Sequence, residues 1–266
     1  MGAINSPLGR QLVTYAKEDP SPGRVRPLPV SILHCMESVA KSGSPRDQAI
    51  ADLAWIAFFF LLRPGEYYAG GTDTVTTPFN LRDIQFLVGN QPTQSTTSFA
   101  ATCAAATFVS LLFTKQKNGI KGEPIGHGKT GHPRACAVAS IRRRVAHLRQ
   151  HVATPDTHLA AVFNGTTWST VCSAEITAAL RAATTLMRPQ VGFTPEDVGA
   201  RSMRAGGAMD LLMTRFDTDT IRLVGRWRSN VILCYLHTTA QTFTEGLTLH
   251  MVQHGGYALV PHAHGD

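Results

Sequence analysis

Nothing in this chain is apolar for long enough to cross a bilayer. The longest run, Leu53 to Leu62, covers ten residues, about half of what a membrane-spanning helix needs. No amino-terminal signal segment is evident either. Paired cysteines are also missing: the five, at 35, 103, 136, 172 and 234, are odd in number and include no Cys-x-x-Cys. That argues against a disulfide framework and fits reduced thiols. His127, His132 and Cys136 supply one thiol and no second ligand pair, so no metal site is expected. The expected protein is soluble and intracellular, nuclear in a eukaryote and otherwise cytoplasmic, and works without a cofactor. Acid is the remaining shortage. Eighteen Asp and Glu stand against 25 Lys and Arg, a net charge of +7, which favours a polyanionic partner. The excess is concentrated: from Lys115 to Arg149 nine basic residues face one acid, Glu123, and nine minus one leaves a local +8.

What is present suffices for a core. Of 266 residues, 43% are hydrophobic and 16% charged, a globular balance. Residues 1–29, rich in Pro and Gly, are expected to be a linker or the remnant of an upstream segment. Two helices follow, near 30–41 and 45–62, the second opened by Ser44-Pro45 and apolar nearly all round, as a central helix should be. It runs into Arg63-Pro64-Gly65-Glu66. An Arg at the end of a buried helix needs a partner, and Glu66 is the nearest. Strands are expected near 83–87 and 107–115, and Asn118-Gly119 turns the chain back into a partner strand from Glu123. Lys115, Lys117 and Lys121 would decorate that hairpin. Helices near 137–151 and 173–187 follow, the latter capped by Ser173; Leu159 to Phe163 is either a short helix or extended. The fold class is α+β, mainly α with a small antiparallel sheet or hairpin.

The densest pattern lies further on. Arg201-Ser202-Met203-Arg204 opens a helix whose apolar residues 205, 208, 209, 212 and 213 share one face. Its Gly206-Gly207 pair costs helix stability, which implies close approach of another backbone or of DNA. Asp217 or Thr218 can cap a short helix that Gly225 ends. Arg226-Trp227-Arg228-Ser229 then leads to a third helix carrying Tyr235, ten residues after Gly225.

Arg-Ser-Met-Arg, Gly-Arg-Trp-Arg-Ser and that Tyr together resemble the catalytic domain of tyrosine recombinases (phage-type integrases), over roughly residues 30–245. The wording Gly-Gly-Ala-Met-Asp-Leu-Leu, Asp-Thr-Asp-Thr-Ile-Arg-Leu-Val-Gly-Arg-Trp-Arg-Ser-Asn and Tyr-Leu-His is most similar to recombinases of Crypton-like and DIRS-like mobile elements. The resemblance implies a catalytic domain over 30–252, a flexible tail over 253–266, and DNA cutting and rejoining through a 3′-phosphotyrosine. By the same resemblance Arg63 and Arg204 are the two catalytic arginines, Trp227 stands near the family's His/Trp position, and Tyr235 is the nucleophile. A hairpin lysine, Lys117 or else Lys115, is the general acid, and Glu66 is the acidic companion of Arg63. Arg201 replaces the family's first His, and Trp227 sits one residue later than usual. Lys121, Lys129, Arg142, Arg143, Arg226 and Arg228 are the other residues expected to meet DNA, and double-stranded DNA with a synaptic tetramer is the implied assembly. The family's separate amino-terminal clamp is absent or truncated. Two other readings stay open: a degenerate DNA-binding module that no longer cuts, and a type IB topoisomerase.

Overall fold

A computed structural model describes residues 26–68, 78–89, 91–93, 103–114, 122–214 and 216–227. Helix α1 spans Val30–Ala40, α2 Pro45–Phe59, and the single turn α3 Pro64–Tyr67. Strands β1 (Ile84–Val88), β2 (Gln91–Thr93), β3 (Phe108–Phe113) and β4 (Glu123–Gly128) form one antiparallel sheet in the order β2-β1-β3-β4. Helix α4 covers Ala137–Gln150, a small hairpin pairs β5 (Ala161–Phe163) with β6 (Trp168–Thr170), and α5 covers Ser173–Val191. Helices α6 (Ser202–Met213) and α7 (Thr218–Gly225) follow. The chain is α+β, mainly helical. Among the described residues no helix is long and apolar enough to cross a membrane.

Helix α2 is the axis of the body. Ser44 caps it by accepting from the Asp47 N–H, Asp47 returns the bond to Ser44, and Pro45 fits the first turn. Every residue from Ala49 to Phe58 is buried, because α1, α4, α5 and α6 all pack on it. The one charge in that run, Asp52, is met by Arg143 of α4, whose Nε donates at 2.7 Å. Burial still raises the Asp52 carboxyl to about 6, with Arg143 pulling the other way. The arginine run on α4 is therefore divided rather than being one solvated face. Arg142 is half-buried, Arg143 serves Asp52, and Arg144 is buried with its guanidinium donating to the Leu159 and Ala161 carbonyls.

Two expected boundaries move. Helix α2 stops at Phe59, three residues early, because Leu61 adopts a left-handed conformation (φ 48°). The Leu62 N–H then reaches back to the Ala57 carbonyl and the Leu61 N–H to Phe58, the pairing that normally places a Gly at this point. The segment 159–163 is a turn at Leu159–Ala160 followed by strand β5, and α5 is capped from Cys172, whose N–H donates to Glu175, with Ser173 as first helical residue.

The Gly206-Gly207 pair has the backbone neighbours its sequence implies. A Cβ on Gly206 would lie 2.3 Å from the Leu28 carbonyl oxygen, and one on Gly207 2.4 Å from that of Phe58. Leu28, buried, crosses α6 and donates its N–H to the Ser202 carbonyl. Helix α6 therefore lies against α2 at a separation only glycine permits.

Candidate active site

The turn from Leu61 to Glu66 gathers three arginines from distant parts of the sequence. The Leu61 carbonyl accepts from Arg204 Nη1 and, at 3.2 Å, from Arg226 Nη2. The Phe60 carbonyl accepts from Arg226 Nη1 at 3.1 Å. Five residues after Leu61, the Glu66 carboxylate bonds the Arg63 Nη1 through one oxygen (3.2 Å) and Arg226 Nη2 through the other (3.0 Å), and also accepts from the Arg63 N–H at 2.7 Å. The left-handed Leu61 thus turns out two carbonyls that would otherwise continue the helix, and positive side chains meet them.

Each arginine has its own exposure. Arg63 keeps a quarter of its side chain open, whereas Glu66 and Arg226 are closed off. Arg204, also buried, donates Nη2 to the Gly225 carbonyl at 2.6 Å and lies 4.1 Å from the Trp227 ring centroid. Gly225 must be glycine here, since a Cβ would sit 1.6 Å from the indole. Arg226 is in the left-handed region (φ 58°) as the cap of α7, and its guanidinium lies 3.9 Å from the Phe113 ring of β3. Burial draws the Arg226 guanidinium down to about 10, with Glu66 opposing, so it is cationic at neutral pH. On the far side, the buried Tyr67 hydroxyl donates to the Ala200 carbonyl at 2.8 Å, which ties α3 to the entry of α6.

Of the sequence-derived site residues, Arg63, Glu66, Arg204 and Trp227 are brought together. Arg201 is exposed at the start of α6, one turn before Arg204, and takes part in none of the bonds around the turn described above. Arg226, expected along DNA, is instead an interior residue of the turn. Lys129 is exposed just after β4, its N–H on the Thr107 carbonyl, and so is open to a partner. Arg143, expected on DNA, is committed to Asp52. Lys115, Lys117, Lys121, Arg228 and Tyr235 lie outside the described residues.

Sequence reasoning missed three members. Leu61 carried no glycine or asparagine to mark a left-handed turn. Phe113 reads as an ordinary strand residue. His127 of β4 stands against Phe60, ring centroids 4.5 Å apart, and burial lowers its imidazole to about 4 despite a hydrogen bond to the Phe59 carbonyl. Its period-2 placement with Ile125, on the same sheet face as their cross-strand partners Val109 and Leu111, could have flagged it. Among the described residues no group of His, Cys, Asp or Glu could hold a metal.

No protein-family model matches this sequence, and no curated protein matches it. Among solved structures the chain is similar to the crystal structure of XerA recombinase, at 15% identity and a TM-score of 0.49, over 87% of this chain and 66% of that one. This chain therefore spans slightly under two thirds of that recombinase's length.

Proposed function

We propose that this protein breaks and rejoins double-stranded DNA as a tyrosine-type recombinase, acting on one backbone phosphate at a time. One observation supports the reading above all: Arg63 and Arg204, 141 positions apart by subtraction, are fastened to the same short turn beside Trp227.

Guanidiniums suit this chemistry because they are planar, permanently charged and able to bind two phosphate oxygens at once. Arg63 and Arg204 hold the non-bridging oxygens and stabilise the charge that grows on them. The Tyr235 oxygen attacks phosphorus, forming the 3′-phosphotyrosine while the bond to the 5′ oxygen breaks. Lys117, or Lys115, gives that leaving oxygen its proton. A later attack by a 5′ hydroxyl reverses the steps on a new strand. Trp227 packs over Arg204 and faces the phosphate. A mobile-element origin, nuclear work in a eukaryote and a synaptic tetramer on DNA belong to the same reading.

A second reading has an observation of its own. Arg204 is buried and already donates to the Leu61 and Gly225 carbonyls, which suits a DNA-binding module that has lost cutting. The deciding experiment uses nicked DNA from the ends of the encoding element and looks for a covalent protein–DNA adduct. Wild type should form one, Tyr235→Phe none, and Arg204→Ala very little. Binding without any adduct favours the module. Relaxation of a plasmid without site preference favours a type IB topoisomerase.

A further inference from the structure

We propose that Arg226 is a positioning residue: it occupies Glu66, so that Arg63 stays turned outward with its charge directed to a DNA phosphate. The inference rests on the function proposed above, because it assigns Arg226 a part in holding a phosphate-binding arginine.

The geometry of Glu66 carries it. The carboxylate is 2% exposed and has two guanidiniums, Arg226 at 3.0 Å and Arg63 at 3.2 Å. A buried carboxylate requires compensation, and these two cations compete to give it. Arg226 is built to win. Its side chain is 0% exposed, its guanidinium is held by the Phe60 and Leu61 carbonyls, and Phe113 closes the face below it. Arg63 is 25% exposed and bonds the second carboxylate oxygen. Arg226 and Glu66 thus neutralise each other inside, and Arg63 keeps its charge at the rim. Remove Arg226, and Glu66 draws Arg63 inward as its sole counter-charge of the pair.

The test measures binding of a mixed-sequence DNA duplex against salt concentration, since the slope counts the phosphates neutralised. Arg63→Met should lower the slope by about one. Arg226→Met should do the same although it touches no DNA. The double variant Arg226→Met with Glu66→Gln should recover the lost slope, because the carboxylate that captures Arg63 is gone. Replacing a buried ion pair as a unit is commonly tolerated by the fold, so the double variant decides the matter even where Arg226→Met alone fails to fold; thermal unfolding of each variant monitors this. Recovery together with regained covalent adduct supports the positioning role. A double variant whose slope stays about one lower means that Arg226 contacts DNA itself, and overturns the inference while leaving the proposed function standing. An Arg63→Met protein with an unchanged slope overturns both, because Arg63 would then hold no phosphate.

Discussion

The guanidinium carbon of Arg204 lies 4.1 Å from the centre of the Trp227 ring, while its two terminal nitrogens reach carbonyls on either side, Leu61 and Gly225. A planar cation can stack and fork simultaneously; a lysine ammonium cannot. Arg204→Lys should therefore lose at least one charge-assisted bond, about 1.5–3 kcal/mol, and should abolish adduct formation as well. Urea unfolding gives the first and a denaturing gel the second. An Arg204→Lys protein as stable as wild type would show that the stacked, forked arrangement contributes little.

Helix propensity and close packing make opposite forecasts at residues 206 and 207. Propensity alone favours Ala over Gly by about 1 kcal/mol within a helix. A Cβ at either site, however, falls inside 2.5 Å of a backbone oxygen that cannot swing aside. Overpacking of this kind costs about 1–3 kcal/mol, so Gly206→Ala and Gly207→Ala should each destabilise in denaturant titration. A stabilised Gly206→Ala would contradict the packing of Leu28 across α6.

Leu61 reverses the usual ranking of glycine and alanine. Its φ of 48° is strained for any L-residue, by about 1–2 kcal/mol, yet its side chain is fully buried with Ala208, Ile221 and Trp227. Both truncations lose that packing. Leu61→Gly relieves the backbone and Leu61→Ala does not, so the glycine variant should be the more stable of the two by about 1 kcal/mol. Thermal denaturation of the pair is the measurement.

His127 makes the fold sensitive to acid. Its folded value is lowered to about 4, against about 6.5 in an unfolded chain. Between those values the unfolded state binds more protons, so stability rises with pH. The contribution is complete above pH 6.5 and is lost as pH falls through about 4. His127→Gln should remove an acid-side loss on the order of 3 kcal/mol. Asp52, raised to about 6, acts in the opposite sense: its share is present below its unfolded value and lost as pH rises through about 6. The difference between wild type and His127→Gln isolates the histidine, and identical pH profiles would refute its burial as a neutral ring.

Local signals in the sequence located most of the scaffold. Ser44-Pro45 marked the start of α2, the β-branched and aromatic residues of 107–115 marked β3, and Gly206-Gly207 announced a close backbone approach. The Arg63–Glu66 pair was readable because its members are three residues apart. What escaped is non-local or cryptic. Arg226 looks like one more cation in a basic run, and only a carboxylate 160 positions earlier draws it inside. Arg144 is buried by carbonyls that offer no charge pattern to read. The early end of α2 rests on a leucine in a glycine conformation, which no composition rule would pick.

The passage of Leu28 over α6 bears on how short a working piece of this chain can be. The Leu28 N–H bonds the Ser202 carbonyl and the Arg26 N–H the Asp197 carbonyl, so residues 26–29 close over Gly206, which carries no side chain to shield itself. An expressed fragment beginning at Val30 would leave that stretch of α6 wet, two residues from Arg204, and would loosen the end of the molecule that holds the three arginines by trimming what looks from the sequence like dispensable lead-in.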